Sequence, residues 1–245
     1  MKAISICVAA AAAAVSPAAL AIEAGALAFT SFNADEDGWS VVALTDLQPG
    51  LSVYFSERTW DAAAGAFVGS EASYQWQLDA GAVEAGSVVR FASVNNAARS
   101  ASVGSLTASG VANLSATGET LFAYLGAAPD SPDSFIAALS TEDFAGDQLD
   151  GTGLGLGVSA LSLASGADYA EYVGPRSGLT AFADYVGLIN DAANWTVETS
   201  GDMSGRLPSL AAFDVTAPVP EPSTYAMLLA GLGFVTYSVR RRMTD

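Results

Sequence analysis

The chain has 245 residues, of which 51% are hydrophobic and 14% charged, and its formal net charge is −17. Between Lys2 and Arg240 it carries 25 of its 26 acidic residues but only five of its nine basic ones, so this central part repels nucleic-acid phosphates and excludes a nucleic-acid partner. It has no histidine, and its one lysine and one cysteine are Lys2 and Cys7, which excludes Ser-His-Asp or Cys-His catalysis, a Schiff base, a His/Cys zinc site and a disulfide in the central part.

The first 21 residues have the order of a Sec-type signal peptide. Lys2 supplies one positive charge, an apolar run follows over 3–15, and the segment ends in the small-residue pattern Ala19-x-Ala21. We therefore expect signal peptidase to cleave after Ala21, which makes Ile22 the new N-terminus and places the protein outside the cytoplasm.

Residues 22–215 have the pattern of one mainly β domain. Short apolar runs are separated by turn residues, such as those at 48–50 and 84–86, and the run 74–78 alternates apolar residues with glutamine, which gives one buried face. The predicted strands are 27–32, 39–44, 51–55, 74–78, 87–91, 120–125 and 135–139. Many short strands at this spacing predict an antiparallel β-sandwich of the lamin-tail or immunoglobulin-like kind.

An acidic loop between the first two predicted strands is a candidate calcium site. Asn33, Asp35 and Asp37 place oxygen ligands at alternate positions before Gly38, as calcium-binding loops do. The twelfth position of an EF-hand-like loop would be Leu44 rather than glutamate, so a solvated acidic hairpin loop is the other interpretation. A second acidic loop contains Asp143, Asp147 and Asp150.

Three further patterns allow a functional and a structural interpretation. The glycine-rich run 151–157 lacks the lysine of a phosphate-binding loop, which favours a plain loop. Paired carboxylates could serve a glycosidase-like hydrolase, although chance pairs are expected among so many acids. The four tryptophans would stack on sugar rings if exposed, or pack in the core if buried: Trp39, Trp60, Trp76 and Trp195.

One short helix is predicted around 180–191. Phe182, Tyr185, Val186 and Ile189 follow the i, i+3, i+4, i+7 spacing of one helix face, and Thr180 is available as the N-cap. This apolar stripe indicates a core contact rather than a ligand site.

Several motifs of 25–198 resemble a lamin-tail-like β-domain of secreted bacterial proteins. They lie at 32–35, 74–78 with 85–86, 118–124, 172–178 and 184–195. The resemblance implies a β-sandwich and carries no activity with it.

The C-terminus has a linker, an apolar segment and a basic tail in that order. The linker, 216–224, contains Pro220-Glu221-Pro222, the apolar segment covers 225–239, and Arg240, Arg241 and Arg242 begin the tail 240–245. Fifteen helical residues span about 22 Å, which makes a short transmembrane helix, and the arginines favour a cytoplasmic tail.

This order resembles the PEP-CTERM sorting signal. The resemblance implies that exosortase, a membrane protease, cuts near Pro220-Glu221-Pro222 and releases the body to the cell surface or the extracellular matrix. The inner membrane is then a transient partner, and extracellular polysaccharide a further one. We interpret the chain as a non-enzymatic exported protein with no required cofactor other than the calcium considered above. The alternatives are a calcium-stabilised carbohydrate-binding module and a carboxylate-dependent hydrolase.

Overall fold

A computed structural model describes residues 22–79, 81–216, 227–232 and 234. The predicted signal peptide with Ala19 and Ala21, the sorting residues 220–222 and the arginines 240–242 lie outside this range. Residues 227–232 are helical, and among the described residues no helix is long and apolar enough to cross a membrane. The predicted transmembrane segment, 225–239, falls mostly outside the described residues.

The described body consists of two six-stranded sheets. The first sheet has the order β14-β13-β1-β2-β7-β8, and its neighbouring strands all pair antiparallel. Its strands are β1 (Leu27–Asn33), β2 (Gly38–Ala43), β7 (Val88–Ala92), β8 (Ser100–Ala101), β13 (Tyr169–Tyr172) and β14 (Trp195–Glu198).

The second sheet has the order β12-β11-β10-β3-β6-β9, and only its β11–β12 pair is parallel. Its strands are β3 (Ser52–Ser56), β6 (Ser73–Gln77), β9 (Ser105–Ser109), β10 (Thr120–Ala128), β11 (Ser131–Ser140) and β12 (Ala160–Ser162). A separate hairpin is formed by β4 (Thr59–Asp61) and β5 (Ala66–Val68).

The two sheets pack face to face through aromatic rings. Trp39 of the first sheet contacts Phe55 and Tyr74 of the second, with ring centroids 5.2 and 5.1 Å apart. Phe91 lies 5.3 Å from Trp76 across the same interface. These side chains are almost completely buried, so apolar burial holds the β-sandwich-like body together without disulfides.

All seven predicted strands are confirmed, with boundaries that shift by at most four residues. The alternation in β6 is confirmed as well, because Tyr74 and Trp76 are inaccessible to solvent while Gln75 and Gln77 are half-buried. The prediction missed seven strands, β4, β5, β8, β9, β12, β13 and β14, most of which are short and rich in small residues.

A second apolar cluster covers part of the outer face of the second sheet. Trp60 and Phe67 of the β4–β5 hairpin pack on Phe122, Tyr124 and Phe135. Leu154, from the glycine-rich run, joins the same cluster. The run 151–157 is therefore part of a cover over the sheet, in agreement with the structural interpretation.

The predicted helix is confirmed as a 3₁₀ turn, Phe182–Asp184, followed by α1, Tyr185–Ile189. Tyr185 and Ile189 are fully buried in the core, as the stripe predicts. The cap differs from the prediction: the N-cap is Ala181 rather than Thr180, and Asp184 Oδ2 accepts a hydrogen bond from Ala181 N at 3.2 Å.

Candidate functional site

The predicted calcium loop is a tight turn, 34–37, that joins β1 to β2. Asn33 is 2% exposed, and its amide donates to the carbonyl oxygens of Met203 and Arg206 at 3.0 and 3.3 Å. Its Oδ1 accepts from Glu36 N at 3.1 Å. The side chain therefore joins the turn to a distant segment of the chain.

The two aspartates of this loop also have protein partners. Asp35 Oδ2 accepts from Met203 N at 2.7 Å. Asp37 Oδ1 accepts from Leu114 N at 2.8 Å, and its Oδ2 accepts from the Asn95 amide. Burial raises the pKa of Asp37, while these hydrogen bonds partly oppose that rise. Within the described residues, no group of three or more acidic side chains is arranged to hold a metal ion, and the calcium site stays a prediction.

Asp37 should contribute to stability as a hydrogen-bond acceptor, without a metal ion. Asp37→Ala leaves the buried Leu114 N–H without its acceptor, which should lower the free energy of unfolding by about 2 kcal/mol in the presence of a chelator. Asp35→Ala is the matched control, because Asp35 accepts one hydrogen bond at the surface. This substitution should lower the free energy of unfolding by less than about 1 kcal/mol. Urea unfolding measures both. A loss for Asp37→Ala that appears only with calcium present would contradict the structural role.

The second acidic loop belongs to the cover over the second sheet. Asp143 accepts a hydrogen bond from the Ser162 hydroxyl at 2.5 Å, and the Asp150 carbonyl oxygen accepts one from Trp60 Nε1 at 3.1 Å. Asp147 is exposed, and its carbonyl oxygen accepts from Asp150 N at 2.8 Å. The loop therefore uses backbone groups to hold Trp60 in place.

None of the four tryptophans presents a ring at the surface. Trp39, Trp60, Trp76 and Trp195 are 1, 7, 0 and 8% exposed. Three of the indole N–H groups donate to carbonyl oxygens inside the body, those of Asp150, Val103 and Ile189. Trp39, Trp76 and Trp195 pack in the core and Trp60 packs in the second apolar cluster, so a row of exposed tryptophans for sugar stacking is absent from the described residues.

Sequence reasoning missed a pair of buried glutamates at one end of the second sheet. Glu57 follows β3 and is 3% exposed; Glu119 precedes β10 and is 5% exposed. Glu57 Oε1 accepts from the Tyr74 hydroxyl at 2.5 Å and Oε2 from Ala72 N at 3.2 Å. Glu119 accepts from the backbone N–H groups of Ser115 and Thr120, at 3.0 and 3.1 Å.

Burial raises the pKa of both carboxyl groups. The pKa of Glu57 rises from 4.5 to about 7, against hydrogen bonds that lower it. The pKa of Glu119 rises to about 8, because burial is reinforced by the charges of Glu57 and Glu71. The pKa of Glu71 is raised by burial and by Glu142, and lowered by Arg58. At 3 and 5% exposure the pair does not meet a substrate, so it lends no support to the hydrolase alternative.

The segment 199–216 follows β14 and runs back over the body; we call it the C-terminal strap. Besides the contacts of Met203 and Arg206 with Asn33, Ser209 N donates to Glu171 Oε1 at 2.7 Å. The Arg176 guanidinium donates to the Ala211 carbonyl oxygen at 2.6 Å. The strap is thus tied to the first sheet along its length.

The last residues of the strap are held most tightly. Phe213 is 1% exposed and lies between the rings of Tyr172 and Tyr185, with centroids 5.7 and 5.2 Å away. Tyr185 donates its hydroxyl to the Asp214 carbonyl oxygen at 2.7 Å, and Thr216 N donates to the Leu179 carbonyl oxygen at 2.8 Å. The body is therefore fixed up to the residue where the predicted linker begins.

Residues 218–242, directly after this anchored strap, match the family model of the PEP-CTERM protein-sorting motif. No curated protein and no solved structure matches the chain. The motif indicates an exported protein that is sorted by an exosortase and passes through a membrane-anchored precursor. The predicted sorting residues, Pro220, Glu221, Pro222 and Arg240 to Arg242, all lie inside the matched segment. The lamin-tail-like resemblance of the body is consistent with its β-rich fold.

Proposed function

We propose that the chain is a non-enzymatic protein of the cell surface or extracellular matrix, delivered by cleavage at both ends. Signal peptidase cuts after Ala21, and exosortase cuts near Pro220-Glu221-Pro222. The main support for this proposal is the sorting motif at 218–242, which follows a strap that is fixed to the body as far as Thr216. Cleavage in the linker then releases the body without loosening its fold.

The chemistry of the body supports a structural or binding role. It has no histidine, lysine or cysteine between Ile22 and Thr216, and its most perturbed carboxyl groups are buried. Extracellular polysaccharide is the proposed partner in the matrix, with bonding through surface polar groups rather than through tryptophan stacking. The strong negative charge favours a neutral glycan over an anionic one.

Cell fractionation tests this proposal. In the producing cells the body should be recovered from the surface or matrix fraction, and in cells without exosortase activity it should remain in the membrane fraction. Calorimetry of the recovered protein with neutral and anionic glycans, with and without calcium, then tests the partner. Equal recovery from the matrix with and without exosortase would contradict the sorting role.

A further inference from the structure

Strand β9 forms one edge of the second sheet and leaves that edge open. It pairs with β6 along its whole length without a bulge, from Ser105↔Gln77 to Ser109↔Ser73. Alternate residues of an edge strand point their N–H and C=O groups away from the sheet. In the described part of the chain, no backbone hydrogen bond outside the β6 pairing involves residues 105–109.

The opposite edge of the same sheet is covered. At β12, Ala160 N donates to the Gly155 carbonyl oxygen at 3.0 Å, and Gly157 N donates to the Ala160 carbonyl oxygen at 2.8 Å. In the first sheet, the edge strand β14 carries Glu198, and β8 has only two residues. β9 is therefore the long, uncovered edge of the described body.

β9 also lacks the features that usually keep edge strands apart. It carries no charge, no proline and no bulge, and it lies in an uncharged stretch, 100–118, of a strongly acidic protein. Most of the acidic surface repels a second copy of the chain, whereas the uncharged stretch 100–118 does not.

The sequence around β9 reads almost the same in both directions. Residues 103–111 are Val-Gly-Ser-Leu-Thr-Ala-Ser-Gly-Val, centred on Thr107. The two flanking glycines are similar as well: Gly104 and Gly110 have φ of 78° and 88°. A Cβ on Gly104 would lie 2.4 Å from the Gln77 carbonyl oxygen at the end of β6, and one on Gly110 would lie 2.5 Å from the Glu71 carbonyl oxygen before β6. Val103 and Val111, at the two ends, are 38 and 68% exposed.

A palindromic edge strand is complementary to itself under a two-fold axis. In a two-fold dimer the same surface is used by both copies, and antiparallel strands paired about Thr107 would bring Thr107 opposite Thr107. Ser105 of each copy then meets Ser109 of the other, and Val103 and Val111 lie just beyond the two ends of the paired strands. We propose that β9 joins two copies of this chain edge to edge, which makes one continuous sheet from the two second sheets.

The acidic side chain of Glu71 does not oppose this pairing. Glu71 lies beside Val111, so in the dimer the two Glu71 residues are at opposite ends of the paired strands. Because Val111 lies beyond Ser109, they are more than about 14 Å apart, which is the separation of the two Ser109 residues at 3.4 Å per residue. Charges at that distance are largely screened at physiological ionic strength.

Cysteine cross-linking of the full chain in detergent tests both the partner and the register. Cys7→Ser first removes the only native thiol. Thr107→Cys should then form a disulfide-linked dimer on mild oxidation, because directly opposed residues lie about 4.5–5.5 Å apart between Cα atoms. Ser105→Cys alone and Ser109→Cys alone should not cross-link, since each is about 14 Å along the strand from its own copy. A mixture of these two variants should cross-link.

A charge variant provides a second test of the dimer. Thr107 is exposed, so Thr107→Glu leaves the fold intact but places two carboxylates opposite each other, which should weaken the dimer about tenfold in sedimentation. The control is Ser134→Glu, an exposed strand residue away from β9, which should leave the dimer unchanged. A monomer at all concentrations, equal cross-linking of Ser105→Cys alone, or a Thr107→Cys adduct with a different protein would each overturn the proposal.

Discussion

Replacing Pro220, Glu221 and Pro222 together by alanine should leave nearly all of the protein in the membrane fraction. The three residues lie inside the matched sorting motif, and we propose that they form the element that exosortase cuts. The strap is fixed to the body up to Thr216, and the apolar segment begins at Tyr225. The Pro-Glu-Pro element therefore lies in the linker between the two. Immunoblots of membrane, surface and matrix fractions measure the change.

The control for this experiment changes the same residue types in the body. Pro49→Ala with Glu84→Ala alters an exposed turn proline and an exposed glutamate, and should leave sorting unchanged. Melting curves of both proteins confirm that the fold is retained. Normal release of the triple-alanine variant would contradict the role of the Pro-Glu-Pro element.

The stability of the body should fall as the pH rises from about 5 to 8. The folded-state pKa values of Glu57 and Glu119, about 7 and about 8, lie above the ordinary value of 4.5. The folded state therefore binds these protons more tightly than the unfolded state does. Their contribution is complete below about pH 4.5 and is lost as the pH rises through the folded-state values. For Glu57 alone, the pKa shift from 4.5 to about 7 corresponds to a loss of about 3 kcal/mol in the free energy of unfolding between low and high pH.

Glu57→Gln should remove a large part of this pH dependence. A glutamine can donate to the Tyr74 hydroxyl oxygen and accept from Ala72 N, so both hydrogen bonds of Glu57 keep a partner. At pH 8 the variant should be more stable than the parent, and at pH 5 nearly equal. Urea unfolding at pH 5, 6, 7 and 8 measures the difference.

General charge repulsion also weakens an acidic protein as the pH rises, so a matched variant is needed. Glu84→Gln removes one exposed carboxylate and should change the free energy of unfolding by less than about 0.5 kcal/mol at every pH. If Glu57→Gln and Glu84→Gln gave the same pH profile, the buried carboxyl pair would not be the cause.

Much of the body could be predicted from residue patterns because burial follows them. The alternation around Tyr74 and Trp76 and the helical stripe at Tyr185 and Ile189 both identified core residues. The missed strands are short, and β9 consists of serine, threonine and alanine with one leucine, a composition shared with many loops.

The candidate sites were harder to predict because they depend on contacts between distant residues. Nothing local to Glu57 marks it as buried, because its hydrogen-bond partners, Ala72 and Tyr74, lie 15 and 17 residues further along the chain. The same holds for Asn33, which is bonded to Met203 and Arg206 far along the chain. The sorting motif was recognisable because it is a linear signal that enzymes read in sequence order.

The intact mass and terminal peptides of the protein recovered from the cell surface test the central claim most directly. We expect an N-terminus at Ile22 and a C-terminus near Pro222, with Arg240, Arg241 and Arg242 absent. Because the only lysine is Lys2, an amine-reactive reagent should then label the processed protein once, at its new N-terminus. Surface-exposed protein that still carries Lys2 or the three terminal arginines would contradict export by cleavage at both ends.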